Sequence, residues 1–456
     1  MKRAMLLVTI CVSFSVQAQK IFTEDDLIAV VKKFHPVAKQ ALLDVRIAEA
    51  NLTASRGAFD PVVSHNNYRK NFEGITYYNQ QWNELKIPTW YGIDLYAGTE
   101  TIGGTRINPE ETKGSINYIG VSVPLIQNVL IDKRRAAVQQ AKIFREQSEV
   151  VRRAAVNDLM AEALEAYWDW WEQHQQLQVV QASLQNAKAR FSMVKTVHRL
   201  GDRPAIDTLE AATQVQVFEQ QETETDMLLQ KSRLQLSFYL WRDREVAYEL
   251  PLDAIPETPH LKTSPPLDSL LTAASVHPLL VEYDYKLRGL SIEKRLKFQS
   301  LLPEVTAKYN SVARDFLKTF DGALFQNNYR FGLALSVPLR LSEGRGEYQA
   351  AKLKIEQTRL AQIAKQIIVE NKVKQYYLES QQTASQYQQQ QNLVLNYIAL
   401  QRGEETKFAN GESSLFLINA REAKTIEGKR KELALAAKTQ QAVVRLRWAA
   451  GLLSNF

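Results

Sequence analysis

Histidine and cysteine are the residue types in this sequence best suited to bind a metal or attack a substrate, and they form no recognisable site. The six histidines are scattered, with no pair at metal-ligand spacing. His35 and His277 each precede a proline at a predicted helix start, where a capping or packing role is favoured over catalysis. No segment has the pattern of a phosphate loop, a dinucleotide-binding loop, a nucleophile elbow or a zinc-binding helix. The sequence therefore predicts no catalytic residue, no metal site, no cofactor and no enzyme.

Residues 1–18 have the pattern of an export signal. Two basic residues precede an apolar run over 4–14, and Val-Gln-Ala at 16–18 is typical of a cleavage site. The single cysteine, Cys11, lies inside this segment, so we expect a mature chain without disulfides. No later stretch is long and apolar enough for a membrane-spanning helix. Removing the two basic residues lowers the net charge from +7 to about +5, and this spread charge does not indicate a nucleic-acid partner.

The rest of the sequence consists of two copies of one pattern. A His-Pro pair is followed, twenty-five residues after its proline, by another proline, once at 35–61 and again at 277–303. Ser-Val-Pro-Leu at 122–125 recurs at 336–339, and an Ala-Lys pair precedes Gly201 and Gly411 by the same distance. The offset between the copies falls from 242 to 214, so the first copy is 28 residues longer before residue 122. Such a repeat favours one body built from two similar halves. We predict a signal peptide at 1–18, a first strand-helix repeat at 19–246, a proline-rich linker at 247–266 and a second strand-helix repeat at 267–456.

Each copy contains a long helix, an interruption at a glycine and a returning helix. From about 131 to 198 there is neither proline nor glycine, and apolar residues follow a heptad pattern with one four-residue stutter. The second helix covers about 205–244, and the other copy repeats the plan at about 348–408 and 414–450. These pairs predict long antiparallel helical hairpins. Their apolar stripes are rich in small and polar residues, which suits helices around a water-filled hollow, a two-helix scaffold or a generic coiled coil.

Strand-like segments precede the long helices. Apolar and small or polar residues alternate over 329–337, and 119–123 repeats this alternation at the same offsets. One apolar face and one polar face are typical of a transmembrane β-barrel strand. Any half-buried antiparallel sheet gives the same alternation, and taken alone it is the more common case. Each copy offers two such strands, too few to close a barrel, so four strands per chain would require several chains.

The longer strand region of the first copy, about 72–114, is rich in aromatic residues. It fits an aromatic belt at a membrane interface, or an extended outer loop or additional hairpin. Its glycines and Pro109 favour a structured hairpin or loop at or beyond the rim of the sheet.

Taken together, these markers resemble the TolC-like family of outer-membrane efflux and secretion channels. The matching features are the His-Pro pairs, Pro61 and Pro303, the Val-Pro-Leu strand ends and the turns at Gly201 and Gly411, which cover nearly the whole mature chain. The resemblance implies an α+β membrane protein that forms a homotrimer. Each chain would give four strands to a twelve-stranded outer-membrane β-barrel, embedded in lipid, and its hairpins to a periplasmic α-barrel.

The same resemblance implies a passive export duct that docks an inner-membrane transporter through a periplasmic adaptor, for efflux or type I secretion. The alternative is a secreted or periplasmic coiled-coil scaffold or adaptor without a channel. A scaffold does not need two alternating strand pairs at matched offsets, and adaptors join their hairpin to small soluble β-domains. Drugs, metal ions, peptides and proteins all leave through ducts of this kind, so the cargo and the transporter stay open.

In this family the turns between paired helices form the periplasmic tip, where polar residues close the resting channel. The residues at these places are His198, Gly201, Arg203 and Asp207 in the first copy and Phe408, Gly411, Ser413 and Leu417 in the second. The second set departs from the polar pattern, so a closed state would rest partly on apolar packing by Phe408 and Leu417. We predict that Arg203 and Asp207 pair across helices or protomers, against the alternative of an exposed ion pair at a solvated turn.

Overall fold

The computed structural model describes residues 20–257, 262–321, 324–325 and 328–455. The predicted export signal at 1–18 lies outside these residues. The helices are α1 (Glu24–Phe34), α2 (Pro36–Arg56), α3 (Lys133–Arg199), α4 (Ala205–Ser237), α5 (Leu267–Ser275), α6 (Pro278–Gln299), α7 (Ser342–Ala409) and α8 (Leu415–Ala449). None of these described helices combines enough length with enough apolar character to cross a membrane.

The two long helices and their returning partners follow the sequence prediction closely. α3 has 67 residues and α7 has 68, so each is about 100 Å long at 1.5 Å per residue. α4 ends at Ser237, before its predicted end near 244, because the next three amide N–H groups donate to carbonyl groups three residues back and tighten the chain. Contacts of Lys188 with Glu219 (3.2 Å) and of Arg445 with Glu379 (3.3 Å) join the helices of each hairpin in antiparallel order.

The strands are β1 (Lys20–Phe22), β2 (Val62–Phe72), β3 (Ile75–Pro88), β4 (Asp94–Gly103), β5 (Gly114–Pro124), β6 (Trp241–Arg242), β7 (Val246–Ala247), β8 (Ala254–Pro256), β9 (Glu304–Ala313) and β10 (Tyr329–Ser336). The main sheet is antiparallel, with the order β10-β9-β5-β4-β3-β2. The short strands pair separately, β1 with β8 and β6 with β7. The predicted linker at 247–266 runs from β7 to α5 and contains β8.

The main sheet has six strands where the sequence predicted four per chain. The two additional strands, β3 and β4, form a hairpin inside the aromatic region at 72–114, which confirms a structured hairpin there. Its predicted place at or beyond the rim is wrong, because β3 and β4 pair with β2 and β5 inside the sheet. The strand count was missed for a physical reason. Residues 76–83 of β3 are mostly polar on both faces, so the alternation that marks a half-buried strand is absent there.

The two faces of the main sheet differ in polarity from β5 to β10 and at the ends of β3 and β4 near residues 85–97, whereas farther along β2 and β3 both faces carry polar residues. The register places apolar side chains of neighbouring strands side by side on one face, including Leu85, Leu95, Val121, Tyr309 and Phe331. β10 forms a strand over the predicted segment, and its register puts Phe331, Leu333 and Leu335 on the same face, opposite Tyr309, Ala307 and Val305 of β9, as the alternation predicted. The other face carries Glu84, Glu100, Tyr118, Asn310 and Arg330.

The chain divides into two units, and each draws segments from both sequence copies. The first contains the chain up to Lys39 with 155–274 and 370–456, and the second contains 40–154 and 275–369. In the first unit, an apolar core joins α1, α3 and α8 around Trp168, Trp170 and Trp171, all at most 5% exposed. These tryptophans therefore serve ordinary packing.

α1 begins with a capping box in which the Thr23 hydroxyl accepts from the Asp26 amide (3.0 Å) and the Asp26 carboxylate accepts from the Thr23 amide (3.1 Å).

In the second unit, ion pairs join four helical segments side by side in a row. Arg145 of α3 approaches Glu49 of α2 (3.7 Å), and Arg288 of α6 approaches Glu146 of α3 (3.4 Å). Lys354 of α7 then approaches Glu293 of α6 (3.4 Å). The order α2-α3-α6-α7 therefore matches the order of the strands joined to these helices in the main sheet.

Candidate functional site at the helical turns

The turns between the paired helices are built in the same way in both copies. Gly201 and Gly411 have φ of +89° and +81°, the left-handed region that favours glycine. The Gly201 amide donates to the carbonyl of His198 (3.0 Å), and the Gly411 amide donates to that of Phe408 (3.0 Å). In each turn the next amide donates five residues back, to Val197 or Lys407. Both are Schellman motifs, so glycine is required by the backbone conformation.

The helices that leave these turns begin differently. α8 has Ser414 as its cap, and the Ser414 hydroxyl accepts a weak hydrogen bond from the amide of Leu417 (3.4 Å). α4 follows Pro204, which is extended and has no side-chain cap. Asp207 stands in the first turn of α4, where its carboxylate interacts favourably with the positive end of the helix dipole.

Arg203 contacts both copies of the repeat at the tip. Its guanidinium Nη1 lies 3.3 Å from Oδ2 of Asp207, and its central carbon lies 4.2 Å from the centroid of the Phe408 ring. The predicted pair of Arg203 with Asp207 thus forms, but between residues four apart and not across helices. A pair across protomers stays a prediction. The contact that crosses between helices is the cation–π contact with Phe408.

The other predicted tip residues have local contacts. Nδ1 of His198 donates to the carbonyl oxygen of Arg203 (2.7 Å), which fixes the shape of the first turn. The Ser413 hydroxyl donates to Glu404 Oε1 (2.6 Å) and ties the second turn to α7. Leu417 is 43% exposed. The structure therefore brings Arg203, Asp207 and Phe408 together and leaves Leu417 on the surface of the single chain.

A buried ion pair near the tip was not found from the sequence. Arg190 of α3 donates through Nη1 and Nη2 to the two carboxylate oxygens of Glu422 of α8 (2.8 and 3.1 Å), and Glu422 is 3% exposed. Asn419 accepts from Arg190 (3.1 Å) and donates to Glu210 of α4 (3.1 Å), so the network joins three helices. The signal available in the sequence was the position of Glu422, which is four residues from both Ile418 and Ile426 and so falls on the apolar stripe of α8.

A partly open cavity of about 390 Å³ separates this ion pair from the turns. Its lining combines apolar side chains with two arginines and includes Arg190, Val194, Val197, Arg203, Phe408 and Ile418. The tip is therefore incompletely packed between the buried Arg190–Glu422 pair and the Arg203–Phe408 contact. In the part of the chain that the structure describes, no group of three or more His, Cys, Asp or Glu residues could hold a metal ion.

Comparison with known proteins agrees with this arrangement. Residues 106–240 match the family model "Outer membrane efflux protein". A search of curated protein sequences finds no match.

Solved structures of outer-membrane channels share the fold across nearly the whole chain. A membrane protein from Pseudomonas aeruginosa is 15% identical with a TM-score of 0.66, covering 94% of this chain and 93% of its own. The CmeC outer membrane channel of Campylobacter jejuni is 13% identical with a TM-score of 0.65, covering 94% and 85%. The open state of the MtrE outer membrane channel of Neisseria gonorrhoeae is 13% identical with a TM-score of 0.65, covering 94% and 88%.

The family resemblance and the α+β fold class predicted from the sequence are confirmed by the matched domain and by this shared fold. The function class that they support is an outer-membrane efflux channel and not an enzyme, and the location that they support is the outer membrane.

Proposed function

We propose that this protein is a passive outer-membrane export duct that works as a homotrimer. Its inner-membrane transporter would dock through a periplasmic adaptor, in efflux or in type I secretion. Energy for transport would come from that transporter, and the chain itself would supply the wall of the duct. Drugs, metal ions, peptides and proteins all remain candidate cargoes.

The observation that carries this proposal is the sheet with one apolar and one polar face, joined directly to the helical hairpins. A closed barrel of such strands presents apolar side chains to lipid and polar ones to a water-filled lumen. β2 and β10 are the edges of the sheet within one chain. An open edge is not tolerated in the hydrocarbon of a bilayer, so the edges need partner strands from other copies.

The turns of the hairpins would form the resting gate at the periplasmic tip. The residues assigned to it are His198, Gly201, Arg203, Asp207, Phe408, Gly411, Ser413 and Leu417. The contact of Arg203 with Phe408 supports this role because it ties the turn of the first copy to the long helix of the second. Leu417 is exposed in the single chain and would be available for packing against a neighbouring protomer.

Current across a planar bilayer tests the proposal, with the protein purified in detergent. Discrete, long-lived conductance steps are expected, and the mass of the detergent-solubilised complex should correspond to three copies. A protein that stays soluble without detergent and never conducts would instead support the coiled-coil scaffold or adaptor.

A further inference from the structure

The hairpin β3–β4 is part of the main sheet and does not fold back over it. β3 pairs with β2 from Val62↔Lys86 onward, and β4 pairs with β5 from Asp94↔Ser122 to Ile102↔Gly114. Each of the two strands therefore has hydrogen-bonded neighbours on both sides. A loop lying outside the wall of a barrel would instead leave β2 and β5 paired with one another.

Side chains on the polar face also fix the hairpin in place. The Tyr118 hydroxyl of β5 reaches over β4 and donates to Oε2 of Glu84 on β3 (2.8 Å). Gly98 of β4 makes room for this reach, since a Cβ atom there would lie 2.6 Å from the Tyr118 hydroxyl. The glycine, the tyrosine and the carboxylate thus connect three adjacent strands, which is expected of a wall segment.

The polar face is concave. Arg330 on β10 donates to Oε2 of Glu100 on β4 (3.1 Å), although β9 and β5 lie between these strands. Three strand spacings of about 4.8 Å would place their backbones about 14 Å apart or more in a flat sheet. Curvature toward the polar face shortens that distance, as in a barrel whose lumen is polar.

The additional hairpin lies between strands that are each joined to a helix. α2, α3, α6 and α7 are joined directly to β2, β5, β9 and β10, whereas β3 and β4 have no helix of their own. The hairpin therefore widens the sheet without adding a helix to the layer.

We infer that each chain contributes six strands to the barrel wall and that β10 of one protomer pairs with β2 of the next protomer. In an antiparallel sheet of six strands, β2 and β10 run in opposite directions, so this pairing continues the antiparallel order. With the trimer proposed above, on which this inference rests, three times six strands close an eighteen-stranded barrel. Since barrel diameter grows about linearly with strand number, the lumen would be about 1.5-fold wider than that of a twelve-stranded barrel.

An electron-microscopy reconstruction of the full chain in detergent tests this directly by counting strands. Eighteen strands, with β10 against β2 of the neighbouring copy, are expected. Twelve strands with β3–β4 outside the wall, or six strands from each of only two copies, would overturn the inference. The proposed function survives those outcomes if the protein still conducts, whereas absence of conductance refutes the duct itself.

A variant provides a second measurement. Replacing residues 73–113 by the β9–β10 connection, 314–328, lets β2 pair directly with β5. We expect this variant to form a twelve-stranded barrel about two-thirds as wide, which excludes smaller polymers than the parent channel does. An unchanged polymer cut-off and an unchanged strand count would contradict a wall role for β3–β4.

Discussion

The guanidinium of Arg203 stacks on the Phe408 ring at 4.2 Å, and this contact joins the turn after the first long helix to the end of the second one. Its ion pair with Asp207, by contrast, lies within one turn of the chain. A cation–π contact that is partly desolvated contributes about 1–2 kcal/mol, whereas a partly exposed ion pair contributes about 0–1 kcal/mol. The closed state of the proposed gate should therefore depend more on Phe408 than on Asp207.

The first prediction concerns leak through the resting duct. Arg203→Ala and Phe408→Ala should each raise the open probability about fivefold, because each removes the contact between the first and the second sequence repeat of one chain. Arg203→Lys should be intermediate, since an ammonium group lacks the planar face that stacks on a ring. Single-channel recording measures the effect.

Two variants control this experiment. Asp207→Asn should change the leak little, because its pair with Arg203 is local. Lys195→Ala removes a looser contact with the Phe191 ring, at 5.8 Å within one helix, and should also have little effect. A larger leak in Asp207→Asn than in Phe408→Ala would show that the gate is ionic.

The second prediction concerns the buried pair of Arg190 and Glu422. Glu422→Gln leaves the guanidinium buried beside a neutral group and should destabilise the fold by about 3–5 kcal/mol. Glu427→Gln is the matched control on the same helix, because its pair with Lys424 is exposed on both sides. We expect the thermal unfolding midpoint in detergent to fall clearly for Glu422→Gln and to stay nearly constant for Glu427→Gln. Equal midpoints would contradict a structural role for the buried pair.

The third prediction is a loss of stability in mild acid. Burial lowers the pKa of His35 below its ordinary value of 6.5, and its Nδ1 accepts a hydrogen bond from the amide of Val37 (3.2 Å). The fold therefore holds the neutral ring. Below pH 6.5 the unfolded chain binds a proton that the folded chain resists. The stabilisation is complete above pH 6.5 and is lost as the pH falls toward the lower pKa of the folded state.

His35→Asn keeps an acceptor near Val37 and removes the titration, so the unfolding midpoint should depend less on pH between 8 and 5. Part of the dependence should remain, because burial also lowers the pKa of His174. The opposite result, a parent protein more stable at pH 5 than at pH 8 and unaffected by the substitution, would remove His35 as the cause.

The sequence predicted those parts of the molecule that follow from local patterns. The long helices follow from apolar spacing, and the turns at Gly201 and Gly411 follow from a left-handed conformation that glycine adopts without strain. The role of His277 also follows, since its Nδ1 accepts from the Leu279 amide (3.1 Å) and caps α6.

Contacts between distant segments could not be predicted in the same way. β3 and β4 carry polar residues on both faces over much of their length, so no periodic signal separated them from a loop. The approach of Arg203 to Phe408 depends on how the two hairpins pack, which no local spacing encodes. The Arg190–Glu422 pair was detectable only as a charge at a stripe position, a weak signal without its partner.

The fourth prediction concerns ion selectivity and rests on the six-stranded wall. If the concave polar face lines the lumen, Glu84 and Glu100 place two carboxylates from the additional hairpin beside the ion path. Lys86, Lys308 and Arg330 stand on the same face, so the two carboxylates offset positive charge there and shift the selectivity toward cations. Glu84→Gln should reduce the cation preference, and Glu100→Gln should reduce it further, because it also leaves Arg330 unpaired and positive.

The reversal potential in a potassium chloride gradient measures this preference for parent and variants. Glu110→Gln is the control, since Glu110 is exposed in the connection between β4 and β5 and should not alter the reversal potential. Equal reversal potentials for the parent protein and Glu100→Gln, with conductance intact, would place this face away from the ion path. That result would also count against β3–β4 as part of the pore wall. Glu100 itself is only 6% exposed beneath Arg330, so on a wall strand the substitution would leave the more exposed Arg330 as an unpaired positive charge facing the lumen.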